Sequence, residues 1–152
     1  MVSDRKKLTA VLGVTGGIAC YKAVELVRLL VKDGFAVRVI MTHGAREFVT
    51  PLTFQTLSGN PVATDTFDLT QESEIGHINL ADSADIFVIA PATANVIGKI
   101  AAGIADDLLT TVLMATKAAV LIAPAMNIHM YENPILQENL RKLRGVGYHF
   151  IE

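Results

Sequence analysis

The tetrapeptide Ile-Ala-Pro-Ala occurs twice in this chain, at residues 89–92 and again at 122–125. Each copy closes a short apolar run, and an asparagine follows within three residues, at Asn95 or Asn127. Proline gives no N–H to a β-ladder and disfavours the helical region for the residue before it, so we expect each strand to stop there and turn. Two strands then bring two polar turns to one edge of a sheet. In open α/β sheets that edge is where ligands bind.

Apolar spacing along the chain alternates between strand and helix. Short apolar runs predict strands, and apolar residues three and four apart predict helices between them. The predicted strands are 9–14, 36–41, 86–90, 119–123 and 148–151; the predicted helices are 18–32, 51–57, 97–102, 106–116 and 134–144, with a polar loop at 65–76. This order predicts an α/β fold, with a doubly wound, mainly parallel sheet and helices on both faces, Rossmann-like or flavodoxin-like.

Composition narrows the functional classes. Half of the residues, 51%, are apolar and only 18% are charged, which fits a sheet buried on both faces or surface hidden in an oligomer. A net charge of −2 gives no electrostatic footprint for nucleic-acid binding. Cys20 is the only cysteine, so an internal disulfide and a Cys-based zinc site are excluded and a cytoplasmic setting is expected. No apolar run reaches the roughly 18 residues that a membrane span needs.

Four predicted strands end in polar or glycine-rich turns, which should meet at the carboxyl edge of the sheet. The Gly16-Gly17 turn opens a helix, where backbone N–H groups can approach an anion such as phosphate. Its spacing matches neither the dinucleotide fingerprint nor a Walker motif. Thr42 follows a strand by one residue; its hydroxyl either binds a phosphate or ribityl oxygen or serves only the turn. Phe48 either packs against the ring of a bound ligand or fills the hydrophobic core.

Among the four histidines, His77 is the strongest candidate for chemistry. It lies at the end of the polar loop, in Glu74–Ile78, before a short predicted helix. His43 follows a strand end and either serves a solvated turn or lies near the site. His129, two residues after Asn127, is ambiguous, and His149 in the last predicted strand is expected to be structural. No second His or Cys stands at metal-ligand spacing, so no metal is expected. The absence of a Gly-x-Ser-x-Gly elbow argues against a hydrolase triad.

In combination these motifs resemble one family, the homo-oligomeric flavin-containing cysteine decarboxylases. The resemblance rests on residues 13–22, on His77, on 91–95 with Lys99, and on 124–131, and it runs from about residue 8 to the end. The Pro-Ala-Met-Asn-x-x-Met segment is specific, although Tyr131 stands where the family usually has tryptophan. The resemblance implies FMN as the cofactor, 4′-phosphopantothenoylcysteine as the small-molecule substrate, and a homotrimer or larger homo-oligomer.

The resemblance also implies roles for individual residues. Those carried over to FMN binding are Gly16, Gly17, Ile18, Thr42, Phe48, Thr93, Ala94, Asn95 and Ala125. His77 resembles the catalytic histidine, Asn127 resembles the residue that holds the substrate carboxylate during catalysis, and Met130 lines the substrate pocket. The implied reaction oxidises the thiol-bearing carbon to a thioaldehyde, loses carbon dioxide to a stabilised enethiolate, and regains the electrons to give 4′-phosphopantetheine.

One departure from the family pattern lies near Glu152. The family's decarboxylases continue into a flap whose cysteine protonates the intermediate, whereas this sequence stops before such a segment. We therefore expect a single FMN-binding domain over 1–152 without the flap, either as part of a longer protein or as a variant without the reductive half. Cys20, on the first helix, is expected to pack in the core. A peptidyl-cysteine decarboxylase, a flavin prenyltransferase and a non-catalytic flavin-binding subunit stay open as alternatives.

Overall fold

The computed structural model describes residues 6–64 and 73–152. Within them, five parallel strands form one sheet in the order β2-β1-β3-β4-β5. The strands are β1 (Thr9–Val14), β2 (Ala36–Met41), β3 (Ile86–Ala92), β4 (Ala119–Pro124) and β5 (His149–Phe150). The predicted doubly wound parallel fold is confirmed, and its strand order is the flavodoxin-like one.

Helices cover both faces of this sheet. They are α1 (Cys20–Lys32), α2 (Pro51–Ser58), α3 (Ser73–Ser83), α4 (Ala94–Ala102), α5 (Leu108–Ala115), α6 (Ile128–Tyr131) and α7 (Pro134–Gly145), with a 3-10 turn at Ala45–Glu47. Adjacent strand residues feed opposite cores: Leu12 packs with the cluster that includes Phe54, and Val11 packs with the cluster that includes Leu109. No helix in the described part of the chain is long and apolar enough to cross a membrane.

The two Ile-Ala-Pro-Ala copies lie side by side in the sheet. The prediction that their strands end before the prolines is wrong, because β3 continues to Ala92 and β4 to Pro124. The ladder shifts register after Ile89, and Ala92 then pairs with Pro124. The peptide bond between Ala90 and Pro91 is cis. Where the ladder is irregular, the N–H that proline lacks is not needed for a regular ladder hydrogen bond. Each strand can therefore continue through its proline.

The segment before His77 also differs from the prediction. Of the predicted polar loop, residues 65–72 lie outside the described part of the chain, and residues 73–76 begin α3. His77 therefore lies inside a helix rather than before one. The polar start of this helix carries no apolar periodicity, but later residues such as Leu80 and Ala81 are buried in the core. Their tertiary packing stabilises a helix that local sequence does not indicate.

Thr15 joins the carboxyl ends of the two central strands. Its hydroxyl donates to the Pro91 carbonyl at 2.6 Å and accepts the Thr93 N–H at 3.0 Å. Its own backbone N–H donates to the same Pro91 carbonyl at 3.3 Å. The side chain is buried, with 2% of its surface exposed. Because the chain order reverses between β1 and β3, Thr15 fixes the two turns that flank the topological switch point.

Replacing Thr15 by valine should lower the free energy of unfolding by about 1–3 kcal/mol, because the partly buried Thr93 N–H loses its acceptor. Denaturant unfolding followed by circular dichroism measures the change. Thr15→Ser keeps the hydroxyl and serves as the matched control, with a smaller loss. A valine variant as stable as the parent protein would show that this bridge contributes nothing.

Candidate functional site

A cleft of about 450 Å³ opens at the carboxyl edge of the sheet, beside the switch point. Three of the four strand-end turns contribute to its wall, and α6 contributes from the fourth side. Six residues singled out from the sequence line it: Gly16, Thr42, Thr93, Ala94, Asn95 and Met130. Residues from distant parts of the chain therefore share one cleft, as the strand order predicts.

Gly16 allows two of these turns to approach each other. A Cβ placed on Gly16 would lie 2.8 Å from the carbonyl carbon of Gly44, in the turn after β2. Backbone atoms cannot move aside as a flexible side chain does, so any larger residue would push the turns apart. A Cβ on Gly17 would have Thr93 Cγ2 as its nearest neighbour, at an ordinary 3.8 Å. The close approach of the two turns thus requires glycine at position 16 but not at position 17.

Helix α4 begins at the cleft wall. Thr93 caps it, since its side chain accepts the Val96 N–H at 3.2 Å. The N–H groups of Ala94 and Asn95 lie in the first turn, where a helix has no preceding carbonyl to accept them. A helix start of this kind favours an anion, through these donors and through the helix dipole. Thr42 adds a hydroxyl, whose oxygen already accepts the Ala45 N–H at 3.2 Å, so its proton is available to a ligand.

The second Ile-Ala-Pro-Ala copy leads to Asn127 at the start of α6. The Ala125 N–H donates to the Ala92 carbonyl at 3.0 Å, which holds this turn against the first one. Asn127 Oδ1 accepts the His129 N–H at 2.8 Å and caps α6. The amide therefore keeps its NH₂ group for another partner. Asn127 is exposed and, like Ala125, does not line the cleft, whereas Met130 from the same helix does.

Three other predicted contacts also fall outside the cleft wall. Gly17 does not line it. Ile18 has 76% of its surface exposed and Phe48 has 49% exposed. The alternative reading of Phe48 as a core residue is therefore wrong. The structure describes only the backbone of His77, in α3, and not its side chain. The cofactor and catalytic roles of these residues stay predictions.

The structure brings five further residues to the cleft that were not among the predicted site residues, although Lys99 belongs to a motif on which the resemblance rests. They are Thr15, His43, Gly44, Lys99 and Asp107. Lys99 Nζ donates to Asp106 Oδ1 at 2.9 Å, and it lies four residues after Asn95 on α4. That spacing places the two on one helix face, so helical periodicity was the signal available in the sequence. His43 accepts a hydrogen bond from Arg46 at Nδ1, across 3.1 Å.

A second cleft of about 310 Å³ adjoins the first, and we call it the annex. Its polar walls are formed by Thr42, His43, Arg46, Thr64, Lys99 and the Asp106-Asp107 pair. Thr42, His43, Lys99 and Asp107 belong to both clefts, so the annex and the main cleft share a wall.

Cys20 belongs to the core, as predicted. The side chain is fully buried, and its S–H donates to the Thr15 carbonyl at 2.9 Å. Burial raises the pKa of the Cys20 thiol, so the group stays protonated near neutral pH. Its contact is with the backbone of the switch-point turn, and its role there is structural.

Comparison with known proteins fits this geometry. The family model described as Flavoprotein matches residues 2–152. The coenzyme A biosynthesis bifunctional protein CoaBC of Bacillus subtilis is 55% identical over 152 residues, which are all of this chain and 37% of that protein. CoaBC of Vibrio cholerae is 54% identical over 137 residues, 90% of this chain and 34% of that protein. The chain thus spans about a third of the length of the curated relatives it matches.

Solved structures show the same likeness. The FMN-dependent cysteine decarboxylase SpaF superimposes with a TM-score of 0.89 at 34% identity, over 95% of this chain and 83% of that one. A PPC decarboxylase mutant complexed with pantothenoylaminoethenethiol superimposes with a TM-score of 0.83 at 31% identity, over 96% and 82%. The family match over residues 2–152, together with these neighbours, shows that the chain belongs to the Flavoprotein family.

Proposed function

We propose that this protein is an FMN-dependent carboxy-lyase that converts 4′-phosphopantothenoylcysteine to 4′-phosphopantetheine in coenzyme A biosynthesis. The observation that carries the proposal is the cleft at the switch point. There the start of α4, the Thr42 hydroxyl and the Gly16 turn converge, in a chain whose 152 residues are 55% identical to 37% of a CoaBC protein. A parallel α/β sheet binds its ligand at that place.

The donors of the main cleft suit FMN. The N–H groups of Ala94 and Asn95, with the Thr42 hydroxyl, would hold the phosphate and ribityl end. The Asn95 amide provides both a donor and an acceptor. Bound FMN supplies a two-electron acceptor for the thiol-bearing carbon and returns the electrons after carbon dioxide has left. The remaining predicted cofactor contacts are part of the same proposal: Gly16, Gly17, Ile18, Phe48, Thr93 and Ala125.

Asn127 is the proposed partner of the substrate carboxylate. Its Oδ1 is occupied by the His129 N–H, so the NH₂ group is oriented to donate. A neutral amide binds the carboxylate without adding a cation. A cation would stabilise the charged ground state more than the transition state, in which that charge moves onto the enethiolate, and would slow the loss of carbon dioxide. Met130, three residues later, lines the main cleft and is the proposed apolar wall of the substrate pocket.

His77 is the proposed proton carrier. A histidine with an ordinary pKa near 6.5 exchanges a proton at neutral pH, which no other side chain does without a large shift in its pKa. His77 lies within α3, a helix that packs against α5.

We further propose a single domain over residues 1–152 that assembles as a homotrimer or larger homo-oligomer in the cytoplasm. Support for assembly comes from large apolar side chains that stand in water in the isolated chain. Ile18, Tyr21 and Leu52 are 76%, 62% and 69% exposed, in the turn after β1, on α1 and on α2. Packing against a second subunit would remove this area from water.

The direct test is to purify the protein, record its visible spectrum and supply candidate substrates. We expect flavin absorption bands and release of carbon dioxide from 4′-phosphopantothenoylcysteine, with 4′-phosphopantetheine identified by mass spectrometry. A peptide ending in cysteine is the competing substrate. Flavin binding without turnover of either compound would favour a non-catalytic subunit, and preference for the peptide would favour a peptidyl-cysteine decarboxylase.

Asn127→Asp should raise the KM for the substrate by about 10–100-fold, since the new carboxylate repels the substrate carboxylate and the NH₂ donor is lost. Aspartate caps a helix as well as asparagine does, so α6 should persist and the flavin content should not change. Asn133→Asp is the matched control, because Asn133 caps α7 in the same way, through the Ile135 N–H at 2.9 Å. Equal KM values for both variants would show that Asn127 does not bind the substrate carboxylate.

His77→Asn should lower kcat by about 100- to 10,000-fold, because the variant cannot accept or donate the proton. The ratio of flavin to protein absorbance should stay at the parent value, which separates lost chemistry from a lost cofactor. His149→Asn changes an exposed histidine on β5 and should keep full activity. A His77 variant with parental turnover would exclude the residue from catalysis.

A further inference from the structure

We propose that the annex binds the phosphate group of the substrate. This inference rests on the proposed function, and it adds a subsite that recognises the end of the substrate remote from the reacting thiol. The annex shares Thr42, His43 and Lys99 with the main cleft, so a ligand that reaches the flavin can extend into it.

Two cationic side chains from different elements line the annex. Arg46 comes from the 3-10 turn after β2, and Lys99 comes from α4. Arg46 donates from Nη2 to His43 Nδ1, so the ring proton of a neutral His43 is on Nε2 and that group is a further donor. A guanidinium offers its donors as a planar fork, a geometry that matches two oxygens of a phosphate.

The two carboxylates of the annex already have partners. Asp107 Oδ1 accepts the Thr110 N–H at 2.8 Å and the Thr110 hydroxyl at 2.5 Å, in the capping box that starts α5. Asp106 Oδ1 accepts from Lys99 at 2.9 Å, and the Asp106 side chain is 55% exposed, so water screens its charge. Lys99 is more buried, at 24% exposed, and keeps two further N–H donors. Arg46 has no acidic partner among the described residues.

The available donors favour a second phosphate here. The proposed reaction brings two phosphate groups to the protein, one on FMN and one on the substrate. The start of α4 and the Thr42 hydroxyl supply neutral donors and a helix dipole, which suffice for the first. The second needs its own partners, and Arg46 and Lys99 stand beside that wall of the main cleft. A phosphomonoester is the ligand class that such a pair of cations recognises.

The test compares 4′-phosphopantothenoylcysteine with pantothenoylcysteine, which lacks the phosphate. We expect the parent protein to prefer the phosphorylated substrate, and we expect Arg46→Gln to lower the ratio of the two kcat/KM values by about 10–100-fold, the effect of one charge-assisted hydrogen bond. Arg46 is exposed, so the substitution should not disturb folding. Lys99→Met is the second variant and should lower the same ratio. Arg141→Gln, an exposed arginine on α7, is the control and should leave it unchanged.

A binding measurement gives a readout that is independent of turnover. Calorimetric titration of the FMN-loaded protein with 4′-phosphopantothenate should show binding that weakens about 10–100-fold in Arg46→Gln, whereas pantothenate should bind both proteins equally weakly. An unchanged phosphate preference in both variants would overturn the proposal. So would loss of flavin in place of loss of that preference, because the cations would then serve the cofactor. A parent protein that decarboxylates neither compound refutes the proposed function itself, and one that decarboxylates both equally well refutes only the subsite.

Discussion

The hydroxyl of Thr15 is the contact on which the site depends. It donates to the Pro91 carbonyl and accepts the Thr93 N–H, and it thereby ties the turn after β1 to the turn after β3. These are the strands between which the chain order reverses. The Thr15 side chain is buried, and its two hydrogen bonds hold the start of α4 in place at the cleft wall. A serine would keep this chemistry, whereas no apolar residue would.

Around that tie, the site combines neutral donors with charged ones. The main cleft offers backbone N–H groups, the Thr42 hydroxyl, the Asn95 amide and the Lys99 ammonium, and the adjoining annex adds Arg46. A neutral donor such as the Asn127 amide suits the proposed reaction, in which negative charge moves from a carboxylate to a neighbouring carbon and a fixed cation would oppose that movement. A cation suits a phosphate group that binds and keeps its charge. One edge of a sheet can therefore serve two anions with opposite requirements.

Much of the fold was predictable because its signals are local. The bounds predicted for β1 and β2 agree with the structure. In a parallel sheet buried on both faces, each strand is a continuous apolar run, and the glycine or threonine turn after it marks where the strand ends. The prolines of the repeat led to wrong predicted ends for β3 and β4. A proline ends a strand only at a position where the ladder requires a backbone N–H from that residue. The start of α3 was missed for the opposite reason: its stability comes from residues buried against other elements, of which local spacing carries no trace.

The sequence by itself determined the alternation of strands and helices, the polar turns at the strand ends, and the motifs that resemble flavin-dependent cysteine decarboxylases. Each of these features depends on residues that are close together in the sequence. Only the tertiary structure decided that Gly16 lies against Gly44, that the two Ile-Ala-Pro-Ala copies pair, and that Lys99 and Arg46 face one annex. Those contacts join residues that are far apart in the chain. Their geometry follows from strand order and close packing, which no local pattern records.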